Sequence, residues 1–339
     1  MKLIKTEEAV GHVLCHDLTQ IIKDQYKDAR FRKGHVVTEE DIPVLLSMGK
    51  EHLYVWEMTP GMLHENDAAE RLYALCANAH MDRSEVKEGK IELKAACDGL
   101  FLVNSEKLIA VNTVEDIMIA TRKGGTAVRK GDKLAGMRVI PLIIPEEKLQ
   151  AAKQAAGDAP LLELKPWVRR TAAIVATGSE VKKGLIQDTF TPVVKDKLAA
   201  YGIETISIAY SGDGVENVAG AVAEARATGA DVILCTGGMS VDPDDNTPGG
   251  IKASGAKIVT YGAPVLPGAM FLLGYYEDGT PVMGLPGCVM YAGATIFDLV
   301  LPFVAADVPV TRRQIVALGE GGLCLGCKPC HWPICPFGK

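Results

Sequence analysis

The 339-residue sequence has no surplus of positive charge: 36 Lys and Arg stand against 42 Asp and Glu, a formal net charge of −6. A non-specific nucleic-acid binder needs a basic face, so that class is set aside. Low-complexity tracts are lacking too. With 48% hydrophobic and 23% charged residues, the composition is that of a folded chain rather than a disordered one. The start, MKLIKTEEAVGHVL, is charged and has no apolar core of a secretory signal. The most apolar stretch, Cys288 to Ala306, is interrupted by Asp298 and Pro302 and reads as a buried helix rather than a membrane span. A cytoplasmic protein with no membrane or nucleic-acid partner is the expectation. The nine cysteines are an odd number, which does not suit a secreted disulfide framework. Cys15, Cys76, Cys97, Cys235 and Cys288 are scattered, whereas Cys324, Cys327, Cys330 and Cys335 crowd into the last 16 residues. In a reducing compartment such a cluster binds metal more often than it forms disulfides.

The character of the chain changes near residue 165, and three parts are expected: a mixed α/β domain over 1–165, an α/β domain over 166–312 and a cysteine-rich tail over 313–339. Before the change, apolar runs are short and separated by charged turns. Residues 35–57 predict a short strand, a helix from about Glu39 stopped at Gly49, and a strand through Tyr54 and Val55. Residues 64–79 carry apolar residues at helical spacing, with HEND reading as a cap. Residues 93–145, rich in β-branched residues and turn glycines, predict a mostly β segment, followed by a helix over 146–156. The histidines other than His331 (His12, His16, His35, His52, His64 and His80) all lie in this first part. Arg122, Lys123, Arg129 and Lys130 predict a solvated hairpin face.

After residue 165, strands and helices alternate. AAIVATG (172–178), ETISIAY (204–210), DVILCTGG (231–238), AKIVTY (256–261) and PVMGLPG (281–287) read as strands. Residues 191–202, 215–229 and 288–305 read as helices. Continuous apolar strands between helices imply a parallel-type sheet covered on both faces, a three-layer α/β domain. Ligands of such sheets bind at the carboxyl ends of the strands.

Three strand ends carry similar punctuation: TGSE (177–180), CTGGMSVDPDDNTP (235–248) and GLPG (284–287). Glycines let backbone N–H groups approach an anion, and hydroxyls of Thr177, Ser179, Thr236 and Ser240 add hydrogen bonds. The loops together read as a phosphate or pyrophosphate cradle, although any one glycine pair alone is as readily a tight turn. Asp213 follows the strand 204–210, and Asp242, Asp244 and Asp245 follow the second glycine loop. Carboxylates beside a phosphate site commonly hold Mg²⁺, whereas an Asp in SGDG is more often a turn residue.

Taken together, these four motifs resemble the molybdopterin-binding fold of molybdopterin adenylyltransferases, molybdopterin molybdenumtransferases and the catalytic domains of gephyrin. The order of the motifs and the extra N-terminal part favour the molybdenumtransferase branch, like the gephyrin E domain. Segment 30–57 is similar to the small β-rich piece found in that branch. The resemblance implies a transferase of molybdenum-cofactor biosynthesis that binds molybdopterin or adenylylated molybdopterin and inserts molybdenum from molybdate with release of AMP. It implies catalytic roles for Asp245 and Asp213, with Mg²⁺ on Asp245. It implies ligand contacts from Thr177, Gly178, Ser179 and Glu180, from Thr236, Gly237, Gly238 and Ser240, and from Pro286 and Gly287. It also implies a homo-oligomer and a molybdoenzyme as the recipient. The sequence departs from the pattern at Phe190, at Ala269 and Met270 where the family has Lys-Pro, and at Cys288-Val289 where it has Asn-Pro. A non-catalytic carrier of the cofactor and a nucleotide pyrophosphatase-type hydrolase are the alternatives. The tail, CLGCKPCHWPICP, spaces Cys324, Cys327, Cys330 and Cys335 so that they are candidate ligands of Zn²⁺ or an Fe–S cluster, with His331 as a further ligand. Cys288 stands at a predicted helix start, which lowers a thiol pKa and would set it beside the ligand's phosphate; a small buried packing residue is the equal alternative.

Overall fold

In the computed structural model, which describes residues 2–22, 26–55, 60–243 and 245–339, alternate residues of each central strand feed two different cores. Strand β1 (Thr171–Thr177) sends Ala172 and Ile174 to one side, Ala173 and Val175 to the other. Val232 and Leu234 of β3 (Val232–Thr236) oppose Ile233 and Cys235 in the same way. The period of two along a pleated strand makes this division, and it explains why the strands read as continuous apolar runs. Each fully buried aliphatic side chain contributes about 1.5–3 kcal/mol, so both cores are strongly favoured.

The other strands are β2 (Glu204–Ser211), β4 (Lys257–Tyr261), β5 (Leu272–Tyr275) and β6 (Pro281–Leu285), and the sheet order is β2-β1-β3-β6-β5-β4. Strands β2, β1, β3 and β6 are mutually parallel. Strands β5 and β4 add an antiparallel edge, with β5 pairing Leu272 opposite Gly284 of β6. The expected parallel-type sheet thus carries an antiparallel edge, and Leu272–Tyr275 is a strand that a short LLGY run did not announce.

One face is covered by Phe190, Val194 and Leu198 of a helix at Phe190–Ala199 (α2), and by Ile296, Phe297 and Val300 of a helix at Ile296–Ala305 (α5). The other face is covered by Val218, Val222 and Ala225 of a helix at Val215–Ala227 (α3), and by Ile251 of a helix at Thr247–Ala253 (α4). A short helix at Ser179–Lys182 (α1) follows β1, and a last one at Arg312–Ala317 (α6) follows α5. The result is the expected three-layer α/β arrangement.

Residues 288–305 are not one long helix. A 3₁₀ turn at Gly287–Met290 is followed by an irregular stretch, and α5 starts only at Ile296. Thr295 caps it: its hydroxyl accepts from Phe297 N, and Asp298 accepts from Thr295 N at 2.7 Å, a capping box that fixes the start. Lys197 of α2 closes on Asp298 at 2.5 Å, tying the two helices of this face together.

The chain folds as two compact units: Met1–Ala96, Val103–Gly124 and Lys130–Glu163 form one, and Cys97–Leu102, Gly125–Arg129 and Leu164–Lys339 the other. In the first, Lys2–Lys5 pairs antiparallel with His52–Val55 over a small core of Ile4, Leu14, Phe31, Leu45 and Leu53. A helix at Asp41–Ser47 lies where one was expected, while the strand expected at 35–37 is reduced to a bridge from Val13 to Val36. The expectation for 35–57 runs beyond the described residues at Trp56 and Glu57. His64 is the N-cap of a helix at Glu65–Cys76, its Nδ1 accepting from Asn66 N at 3.1 Å, so the HEND motif is a cap. Strands Met81–Arg83, Ile91–Ala95, Lys133–Val139 and Ile117–Thr121 form an antiparallel sheet in that order. The stretch 93–145 is less purely β than expected, because a helix at Ser105–Asn112, capped by Asn104, interrupts it. Among the described residues no helix is long and apolar enough to cross a membrane.

Candidate functional site

Strand β2 lies on one side of β1 and β3 on the other, so the chain changes direction across the sheet between them. Connections leaving a reversal point diverge and open a crevice at the carboxyl ends of the strands. The loops after β1 and β3 leave from that point, and the loop after β6 leaves from the strand beside β3.

Two glycines make the close approach possible. Gly237 has φ +82° and its absent Cβ would lie 2.3 Å from the carbonyl oxygen of Thr177. Gly238 has φ +55°, and a Cβ there would meet Thr247 Oγ1 at 2.7 Å. Any side chain at either position would push the loop after β3 away from the end of β1. Thr177 Oγ1 donates to Thr236 O at 2.9 Å, Thr247 Oγ1 donates to Gly237 O at 2.9 Å, and the two hydroxyls lie 2.9 Å apart. Thr177, Thr236 and Thr247 are all buried, so these hydroxyls brace the loops from beneath. Met239, also buried, fills the space left by Gly284 of β6.

The polar groups that reach the surface lie above this floor. Ser240 is exposed; its N–H and hydroxyl both donate to Asp245 Oδ2, at 2.9 and 2.5 Å. Its hydroxyl also lies 3.2 Å from Asp242 Oδ2. Asp244 lies outside the described residues. Ser179 N donates to Asp213 Oδ2 at 3.3 Å, and Asp213 N donates to Ser179 Oγ at 3.4 Å, so the loops after β1 and β2 hold each other reciprocally. Gly178 N donates to Ser211 O, and Glu180 is exposed beside it. In the third loop Pro286 is buried, Gly287 is exposed, and nothing lies within 4 Å of a Cβ placed on Gly287.

Four further residues of the site carry no signal in the sequence motifs. Thr247 starts α4 and completes the hydroxyl pair. Tyr261, at the end of β4, donates its hydroxyl to Met239 O at 3.1 Å; burial raises its pKa, and the Asp245 carboxylate adds to the rise. At the start of α2, Asp188 Oδ1 accepts from Phe190 N and Thr191 N, while Asp188 Oδ2 and Thr191 Oγ1 are buried and without a partner among the described residues. Thr247 stands inside the run 235–248 without being singled out there, whereas Tyr261, Asp188 and Thr191 lie outside the glycine motifs and reach their place only through the tertiary fold.

The metal expectations meet a different geometry. Among the described residues no group of three or more His, Cys, Asp or Glu side chains is arranged to hold an ion. Asp245 Oδ2 is engaged by two donors from Ser240, and Asp213 Oδ2 by Ser179. Mg²⁺ is commonly held through one or two carboxylates together with waters and the phosphate oxygens of a substrate, so the described carboxylates by themselves make no complete site for it. The four tail cysteines are likewise not gathered into such a group. Cys324 and Cys335 are half-buried against the core that contains Phe297 and Phe337, while Cys327 and Cys330 are exposed. Cys330 Sγ lies where a Cβ on Gly293 would stand, at 2.7 Å. The tail expected as a separate appendage lies on the second unit, with Phe337 buried and Leu323 bridging to Leu266. Cys288 is also corrected: burial pushes its thiol pKa up, and Asp298 adds to this, outweighing the backbone hydrogen bond that lowers it.

With this geometry in view, the sequence match is specific. Residues 173–306, which lie in the second unit, match the family described as "Probable molybdopterin binding domain". Residues 3–57 match a family described as "Domain of unknown function (DUF8806)". A CinA-like protein of Desulfosudis oleivorans is 40% identical over 86 residues, which are 25% of this chain and 21% of that protein. The chain therefore spans about a fifth of the length of the curated relatives it matches. Among solved structures, the tungsten cofactor synthesizing protein MoaB of Pyrococcus furiosus is 21% identical, covering 38% of this chain and 86% of that one, with a TM-score of 0.31. The protein CinA of Thermoplasma acidophilum is 16% identical, covering 40% and 98%, with a TM-score of 0.34.

Proposed function

We propose that the protein binds molybdopterin, or its adenylylated form, across the ends of β1, β3 and β6, and that it serves molybdenum-cofactor assembly as a molybdopterin molybdenumtransferase. The supporting observation is the braced loop at Gly237 and Gly238. Positive φ at both glycines, with Thr177 and Thr247 fixed beneath, holds the β3 loop and its backbone N–H groups close against the end of β1. Preorganised donors of this kind stabilise charge on phosphate without reorganising when it develops.

In this reading Gly178, Ser179 and Glu180 line one side of the phosphate end, Gly237, Gly238 and Ser240 the centre, and Pro286 and Gly287 the other side. Thr177 and Thr236 act from below. Asp245 orients Ser240 and is the carboxylate nearest the leaving phosphate, while Asp213 holds the first loop to the second. A molybdate oxygen attacks the adenylyl phosphorus, the phosphoanhydride P–O bond breaks, and AMP leaves with that oxygen as the two dithiolene sulfurs bond molybdenum, their protons departing with a further molybdate oxygen as water. The protein works as a homo-oligomer and delivers to a molybdoenzyme.

A second reading, a carrier that holds the cofactor without turnover, is favoured by the loop LPGAM. Gly268 there approaches Ile296 so closely that a Cβ would lie 2.6 Å from Cγ2, which sets the loop beside the start of α5. Its next residues, Ala269 and Met270, offer no charge to an oxyanion. Incubation with adenylylated molybdopterin, with and without molybdate, separates the readings. Molybdate-dependent AMP release supports the transferase, tight binding without release the carrier, and release without molybdate a pyrophosphatase-type hydrolase. AMP release left intact in Asp245→Ala would remove that residue from the mechanism.

A further inference from the structure

The segment matching the domain of unknown function contains a cleft of about 650 Å³ whose lining includes Arg30, Arg32, His35, Asp41 and Val44. We propose that this cleft binds a small oxyanion-bearing molecule, a phosphate or polycarboxylate ester or acid, at a site independent of the sheet-edge loops.

Three features of the segment converge on that chemistry. The first is a β-bulge. In the hairpin of Leu18–Ile22 and Tyr26–Phe31, Leu18 pairs with Phe31 but Thr19 pairs with Ala29, so Arg30 has no cross-strand partner. A bulge of this kind re-aims the side chain of the extra residue, and here that residue is an arginine.

The second feature is unused cationic capacity. Arg30 and Arg32 are exposed, and among the described residues neither makes an ion pair or a side-chain hydrogen bond. The carboxylate closest to them in sequence, Asp28, lies 3.7 Å from Lys87 and accepts from Ala29 N. Guanidinium groups match phosphate and carboxylate in a two-pronged geometry, which a lysine does not reproduce.

The third feature is the balance of charge: Arg30, Arg32 and Lys33 line the cleft against the single Asp41 carboxylate, which is turned to neighbouring donors. Asp41 Oδ2 already accepts from His35 Nε2 at 2.7 Å, from Thr38 N at 2.9 Å and from Thr38 Oγ1 at 2.8 Å. The His35 ring is held on its other side by Phe31, with centroids 5.2 Å apart. The carboxylate is thus occupied while the imidazole stays fixed at the edge of the cleft. A cleft of this volume is of the size that small molecules occupy, which favours a small ligand over a macromolecule.

Calorimetric titration of the full chain with sodium pyrophosphate and, separately, with citrate tests the proposal. Saturable binding of pyrophosphate alone identifies a phosphorylated ligand; binding of citrate, alone or beside pyrophosphate, extends it to carboxylates. In Arg30→Ala/Arg32→Ala the affinity is expected to fall at least about tenfold, as loss of charge-assisted hydrogen bonds implies. In Arg30→Lys/Arg32→Lys an intermediate loss is expected. The unfolding midpoint without ligand should stay unchanged in both, because these side chains are exposed. Asp245→Ala should leave this binding intact, which keeps it distinct from any pyrophosphate held at the sheet edge. Absence of saturable binding by the parent protein, or equal binding by parent and alanine variant, overturns the proposal.

Discussion

The hydroxyls of Thr177 and Thr247, 70 residues apart in sequence, lie 2.9 Å from each other under the loop that follows β3. Thr177 also reaches Thr236 O and Thr247 reaches Gly237 O, so two hydroxyl protons serve three contacts. Removing either hydroxyl leaves buried acceptors unpaired, which costs about 1–3 kcal/mol. Thr247→Val is expected to lower the urea midpoint accordingly and to weaken binding of adenylylated molybdopterin, while Thr247→Ser restores most of both. An unchanged midpoint in the valine variant would show that the pair does not brace the loop.

Gly237 and Gly287 make opposite predictions although both stand in glycine motifs. A Cβ on Gly237 meets the Thr177 carbonyl at 2.3 Å, and the residue has φ +82°. Overpacking and left-handed strain add, so Gly237→Ala is expected to destabilise by about 3 kcal/mol or more. Gly287 has open space and no positive φ. Gly287→Ala is expected to change stability by no more than about 0.5 kcal/mol. Denaturation curves for the two variants check the contrast, and a loss of pterin binding in Gly287→Ala alone would mark that loop as a ligand contact.

What was legible in the sequence followed from burial. Strands such as 172–177 and 232–236 are apolar on both faces because both faces are covered, and that pattern survives without any tertiary information. The loops after β1 and β3 were legible because Gly178, Gly237 and Gly238 take positive φ that glycine adopts most readily. Strand Leu272–Tyr275 was not, since four residues with a glycine among them carry too little periodicity. The break before α5 was written in the sequence as Thr295 and Asp298, three residues apart, but the apolar run around them masked it. The tail shows the converse limit: spacing places four thiols near one another in sequence, whereas in the fold Cys324 and Cys335 pack with Trp332 and Phe337 against the α5 core while Cys327 and Cys330 are exposed.

Acid should loosen the sheet at its amino-terminal edge. Asp231, just before β3, accepts from Arg170 N at 2.7 Å and Thr171 N at 2.9 Å at the start of β1. Burial pushes its pKa up, but these N–H groups, the Thr171 hydroxyl and the Arg169 charge outweigh it and hold the carboxyl below its ordinary value. A carboxyl depressed on folding contributes stability that is present above its unfolded pKa and lost as pH falls through the folded one. The melting temperature should therefore drop between about pH 4 and lower pH, and Asp231→Asn should be less stable at neutral pH with a shallower acid decline. Parallel acid declines in the two proteins would exclude Asp231 as a cause.

Thiol reactivity tests how the nine cysteines are arranged. Alkylation needs the thiolate, so it follows both exposure and pKa. Burial pushes Cys76 and Cys235 up to about 12, and Cys15 is buried with its thiol donating to Tyr54 O at 2.8 Å. These three are expected to resist iodoacetamide until the protein unfolds. Cys327 and Cys330 are exposed and should react first, with Cys324 and Cys335 slower because the core beside them limits access. Peptide mass spectrometry after timed labelling of anaerobically purified protein gives the order, and elemental analysis of the same sample gives its metal content. Fast labelling of Cys327 and Cys330 in protein without stoichiometric zinc or iron agrees with four thiols that are not gathered around an ion. Joint protection of all four tail cysteines, released together by a chelator with one equivalent of metal, would mean that they converge on an ion and that the tail takes another conformation when loaded.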